Sequence, residues 1–163
     1  MVSVGSMTTA TWLHIQVELE RGAGIECDPP PGRIFVVGPG HTFRQLARAI
    51  DAAFARWDVA HLHAFELADG RLIGLPDPEP SALPSRWLDH DALTLTRELV
   101  PGEQFTYTFD LAESWQHHCE VLEETVDPLL AYGSRPSGPA IVWGWGWIPD
   151  QYGREGAGEP DLP

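Results

Sequence analysis

The sequence predicts an α+β fold, a single domain in which a mostly antiparallel sheet packs against one principal helix at about residues 42–57. Three observations carry this expectation. Apolar and polar residues alternate with period two in several separate stretches, as half-buried strands require. One stretch keeps a 3.6-residue apolar period behind a helix-capping pattern. Neither side of the Pro-rich segment 76–84 holds enough periodic apolar sequence to close its own core, so that segment is read as a linker within one domain. At 163 residues the chain is long enough to bury about two-thirds of its unfolded surface without disulfides or a structural metal.

The elements follow in order. Residues 1–10 are expected to be disordered and 11–150 to form the domain, with 151–163 a disordered acidic tail. In 12–19, Leu13, Ile15, Val17 and Leu19 share one face of a strand. A Gly/Pro-rich link over 22–32 leads to a second strand at 33–37, stopped by Gly38-Pro39-Gly40, and the two strands can pair as a long hairpin. Thr42 and Gln45 then form a capping box. Phe43, Leu46, Ala47, Ile50, Phe54 and Trp57 make the apolar stripe of the helix, with Arg44, Arg48, Asp51 and Arg56 outside it. Those arginines fit a solvated face better than a phosphate-binding row.

Residues 61–67 alternate again, and Ala68-Asp69-Gly70 turns them into a return strand at 71–75. The stretch 92–99 fits either a strand or a short helix. Phe105, Tyr107 and Phe109 line one face of an aromatic strand, and 115–124 is its antiparallel partner, ended by Asp127-Pro128. The last expected strand, 141–148, reads I-V-W-G-W-G-W-I, with Trp143, Trp145 and Trp147 on one face and glycines on the other.

Composition excludes several classes of function. The formal net charge of -14 opposes long-range attraction to nucleic acid or anionic lipid. All ten basic residues are arginine, so there is no P-loop lysine and no Schiff-base lysine. No G-x-S-x-G or G-x-G-x-x-G pattern occurs. Cys27 and Cys119 are far apart and form no C-x-x-C pair, which fits a reduced, cytoplasmic protein. No apolar run reaches the roughly 20 residues of a membrane span. Residues 1–7 have neither the basic start nor the apolar core of a secretory signal.

Two constellations could carry chemistry. His61 and His63 lie on one strand face about 7 Å apart, a spacing at which two imidazoles can converge on a metal ion. Asp110 and His117 would complete a mixed nitrogen and oxygen set suited to Zn²⁺ or Mn²⁺, with Asp110 or Glu113 as general base. The plainer reading has the histidines bonded to loop carbonyls and Asp110 capping its turn. His14, His41 and His90 are expected to be solvated, and Trp57 and Trp115 to be in the core. Trp143, Trp145 and Trp147 form either a stacking platform for a ligand or a cover for the core, and an exposed face of that size would suit a homodimer seam.

The ordered set of motifs resembles the plasmid pRiA4b ORF-3-like family, also labelled TnpR-type passenger proteins of an insertion element. The similarity rests on Thr42 with Leu46, Ile50 and Trp57, on His61-Leu62-His63-Ala64-Phe65, and on Phe105 through Asp110 to Trp115 and His117. The family's D-F-G-D turn is Asp110-Leu111-Ala112-Glu113 here, and its Cys- and Pro-rich C-terminal segment is replaced by the tryptophan strand. The resemblance implies an α+β fold and an association with mobile elements, but no reaction.

The expectation is a soluble binding or adaptor module for a protein or small-molecule ligand, rather than an enzyme. The alternative is a small metal-dependent hydrolase built on His61, His63, Asp110 and His117. A recombinase role fits an acidic chain without a helix-turn-helix pattern poorly.

Overall fold

The computed structural model describes residues 11–76 and 87–152. The expected disordered segments, 1–10 and most of 151–163, and most of the 76–84 linker lie outside the described residues. Nine strands form one open sheet: β1 (Leu13–Gly22), β2 (Ile25–Glu26), β3 (Gly32–Val37), β4 (His63–Glu66), β5 (Leu72–Gly74), β6 (Trp87–Asp89), β7 (Gln104–Phe109), β8 (Trp115–Val121) and β9 (Ala140–Trp145). Their order is β6-β5-β4-β7-β8-β1-β3-β9, with β2 paired to β1. Every pair is antiparallel except β5 with β6. The helices are α1 (Phe43–Ala53), α2 (Leu95–Glu98) and α3 (Pro128–Tyr132), of 11, 4 and 5 residues. The sheet thus dominates more than the expected α+β balance, and one helix of length packs on it.

The alternating sequences set the register. The expected hairpin forms with Leu13 opposite Val37 and Val17 opposite Arg33. The aromatic strand pairs with its expected partner from Gln104–Glu120 to Phe109–Trp115. One-sided patterning forces this register, because a slip of one residue would turn the whole apolar set to water. Ile15, Val17, Phe35, Tyr107 and Val121 then face α1, which brings Phe43, Leu46, Ala47 and Ile50 into the same core. Each fully buried large side chain contributes roughly 1.5–3 kcal/mol to that seam.

The capping box of α1 forms as expected. Thr42 Oγ1 accepts from the Gln45 amide at 3.2 Å, and Gln45 Oε1 accepts from the Thr42 amide at 2.9 Å. The C-terminal end differs from the expected 57. The helix stops at Ala53 because Ala55 takes a left-handed conformation with φ 59°. That turn exchanges the two residues that follow. Arg56, expected in solvent, is buried, whereas Trp57, expected in the core, is 53% exposed against Tyr152. The guanidinium of Arg56 lies 4.2 Å over the ring of Trp115, and the arginine donates to the carbonyls of Phe54 and Pro149. A polar side chain able to reach those carbonyls satisfies the reversed turn better than an indole with one donor.

Two glycine substitutions should therefore have opposite effects. A Cβ on Gly22 would stand 2.2 Å from ring carbons of the fully buried Trp115, so Gly22→Ala should cost about 1–3 kcal/mol through overpacking. Ala55→Gly should relieve the left-handed strain and raise stability by up to about 1 kcal/mol. Urea unfolding of both variants against the parent chain checks the two signs.

Candidate functional site

The flank of α1, the segment after it and the approach to β4 enclose a cleft of about 550 Å³. Helical spacing places Arg44, Arg48 and Asp51 along one side, Arg56 enters from behind, and His61, His63 and His90 face them. The arginine row expected to be a plain solvated face therefore borders a concave site. Arg44 makes an exposed ion pair with Asp91 at 3.0 Å. Arg48 has no ion pair among the described residues.

Asp51 was placed outside the apolar stripe, but it is buried at the cleft floor. Its Oδ1 accepts from the Tyr107 hydroxyl at 2.8 Å. Desolvation pushes its carboxyl up to about 7, against the opposing effects of that hydrogen bond and of the Arg56 charge. The Tyr107 hydroxyl is held well above its ordinary value, first by burial and then by Asp51. Burial lowers Arg56 to about 10, which leaves it cationic at neutral pH.

The histidines behave differently from the expected metal quartet. His63 Nε2 meets His90 Nδ1 at 2.9 Å, and one of these nitrogens donates to the other. Burial first, then His90 and the nearby arginines, lower His63 to about 4, while His90 is lowered chiefly by burial. This is a neutral imidazole pair at pH 7. His61 lies instead with Asp110, at 3.5 Å, and with Asp58 and Tyr152. Tyr152 donates to Asp58 at 2.6 Å, so its hydroxyl oxygen accepts from His61 Nε2.

His117 is fully enclosed below Tyr107 and Phe54. Its Nδ1 donates to the Tyr107 carbonyl at 3.0 Å, and its Nε2 has no hydrogen-bond partner among the described residues. Burial drives it down to about 3. Asp110 adopts φ 61° and its Oδ1 accepts from the amides of Ala112 and Glu113, so it caps its turn as in the plainer reading. Glu113 is exposed and borders a different, smaller cleft of about 200 Å³ with Arg21 and Glu26. The structure thus joins His61 to Asp110, turns His63 toward His90, and keeps His117 and Glu113 apart from both.

Three other expectations change. His41 and His90 are buried rather than solvated; His41 Nδ1 accepts from the Gly38 amide at 2.9 Å. His14 is half-buried and bonds the Tyr132 hydroxyl at 2.8 Å. The tryptophan strand ends at Trp145, because Gly146 (φ 88°) turns away against Pro31. Trp145 covers Gly32, while Trp143 and Trp147 are each 57% exposed and take no part in covering the core. Asp51, Arg56 and His90 were missed as site residues. The inward-facing Tyr107 hydroxyl, which needs a buried partner, is the one sequence signal of a polar group in that core, but it does not single out Asp51.

The pH dependence of stability follows from these shifts. His63 and His117 have folded values below their unfolded 6.5, so they contribute stability above pH 6.5 that is lost as pH falls toward about 4 and about 3. Asp51 has the opposite sign, because its folded value of about 7 exceeds its unfolded 3.8 and folding takes up a proton between them. Asp51→Asn removes this offset. Its unfolding free energy should fall more steeply than the parent's between pH 6.5 and pH 4.5, measured by urea unfolding at half-unit intervals.

A search of curated proteins finds no match. A crystal structure of a protein of unknown function from Methanosarcina mazei Go1 superposes with a TM-score of 0.67 at 21% identity, covering 90% of this chain and 76% of the other. At that identity the likeness concerns the fold alone. The segments that line the cleft, α1, the approach to β4 and the residues that follow β5 and β6, all fall within residues 12–139, which match the sequence model of the plasmid pRiA4b ORF-3-like protein. Since that match spans most of the sequence, the chain belongs to the plasmid pRiA4b ORF-3-like family.

Proposed function

We propose that this protein is a soluble, cytoplasmic binding module associated with mobile elements, and that its α1–β4 cleft takes a small ligand bearing a phosphate or carboxylate group. The observation that carries this reading is the local reversal of charge: Arg44, Arg48 and Arg56 converge on one cleft in a chain of net charge -14. The neutral His63–His90 pair leaves hydrogen-bond donors there without adding charge. Asp51, near 7 and bonded to Tyr107, carries only part of a negative charge at neutral pH, less than an ordinary carboxylate would set against an anion. The exposed Arg44–Asp91 pair is of a kind that contributes only about 0–1 kcal/mol, so an incoming anion can displace it. The acidic remainder of the surface favours a small ligand over a long polyanion.

A second reading, a metal-dependent hydrolase, rests on a different set of residues from the one expected. Asp89, His90 and Asp91 each bring one ligand atom within 4.8 Å of the others, and His63 Nε2 lies 2.9 Å from His90 Nδ1. Against it, Arg44 already holds Asp91. Elemental mass spectrometry of untagged protein tests this reading: near-stoichiometric Zn or Mn that disappears in His63→Ala/His90→Ala would support it.

For the leading reading, titration calorimetry with inorganic pyrophosphate and with citrate should give saturable heat for at least one of them. Arg48→Ala should weaken binding about tenfold, and Arg44→Ala/Arg48→Ala should abolish it, with the circular dichroism spectrum unchanged. Absence of heat with both probes, or full affinity in the double variant, would remove the cleft as an anion site.

A further inference from the structure

We propose that the sheet edge at β9 is a second binding site, for an extended basic peptide segment that adds to β9 as a further strand and places a lysine or arginine side chain between Trp143 and Tyr132. The inference is independent of the α1–β4 cleft. It starts from the two ends of the sheet. At one end β6 has three residues and carries Asp89, a short charged edge of the kind that discourages pairing. At the other end β9 runs for six residues, A-I-V-W-G-W, without a charge or a proline, and among the described residues it pairs with β3 alone. Apart from the register shift at Val142, the backbone amides and carbonyls along its outer side have no partner strand among the described residues.

Beside this edge, on the sheet face away from α1, is a cleft of about 580 Å³. Trp143 and Tyr132 supply aromatic walls, Ile34 and Leu122 an apolar floor, and the acidic residues Glu123 and Glu124 border it, with the Glu123 carboxylate beside Gly102. The tryptophan and tyrosine are 57% and 47% exposed, while His14 holds the Tyr132 hydroxyl at 2.8 Å and fixes that ring. Aromatic faces with nearby carboxylates select a cation carried on an apolar stem, which is the chemistry of a lysine or arginine side chain. An uncharged strand edge next to an acidic aromatic cleft therefore matches a peptide that is both extended and basic. The net charge of -14 draws such a segment in and repels a second copy of this chain.

The test uses the full chain and a fluorescein-labelled ten-residue peptide of alternating valine and lysine, followed by fluorescence anisotropy. Saturable binding is expected for this peptide and none for its valine–glutamate counterpart. Trp143→Ala and Glu123→Gln/Glu124→Gln should each weaken binding at least tenfold. Glu18→Gln/Glu120→Gln, which removes the same charge from β1 and β8, should change it less than twofold. N-methylation of alternate backbone amides of the peptide should abolish binding in one of the two registers. The proposal is overturned by equal binding of the glutamate peptide, or by equal losses in the two charge-neutralised variants. It also fails if both methylated peptides retain full affinity, or if light scattering shows a dimer that Trp143→Ala dissociates and the lysine peptide does not. Circular dichroism on each variant separates lost binding from lost folding.

Discussion

The buried guanidinium of Arg56 ties together parts of the chain that no sheet pairing connects. It stacks on Trp115 at the start of β8, bonds the carbonyl of Phe54 at the end of α1, and bonds the carbonyl of Pro149 beyond β9. Asp51 and Asp150 add opposing charge at short range. A cation that far from water is tolerable only when its partners are numerous and fixed, and their removal would leave an uncompensated charge in the core. The reversed turn at Ala55 is therefore best understood as the geometry that delivers Arg56 to this place.

From that anchor the cleft follows. Because α1 stops at Ala53, the chain is free to cross the end of the helix and enter β4 beside it, bringing His61 and His63 opposite Arg44 and Arg48. Asp51 is then enclosed between α1 and β7, where Tyr107 is its donor. Around Tyr107, which touches all three, one carboxyl is pushed up and two imidazoles are pushed down, all mainly by desolvation. At neutral pH the arginines remain the fixed cationic charges of the site, which is the basis for the proposed anionic ligand.

The two ends of the sheet divide the molecule's polarity. The helix-covered face builds the core and opens into the arginine cleft at one side, whereas the opposite face carries Glu123, Glu124 and the exposed Trp143 near β9. A single acidic chain can thus present one cationic and one anionic recognition surface, each limited to a few side chains. Long-range charge and local charge have different sources, and net charge alone describes neither site.

The sequence by itself determined the longer strands, the pairing of β1 with β3 and of β7 with β8, and the start of the principal helix, whereas β2 and β6 are too short to show a period. Period-two alternation at β1, β7 and β8 and the capping box of Thr42 and Gln45 are local patterns, and burial of one face enforces them wherever the chain goes. The sequence also indicated the segments that carry the family. Tertiary structure decided the rest: where α1 ends, which of Arg56 and Trp57 is inside, and that His63 faces His90 across 27 positions of sequence rather than His61 across two. These outcomes depend on which strand neighbours which and on where a single left-handed residue turns the chain. Such contacts join residues distant in sequence, so no periodicity or spacing within a segment encodes them.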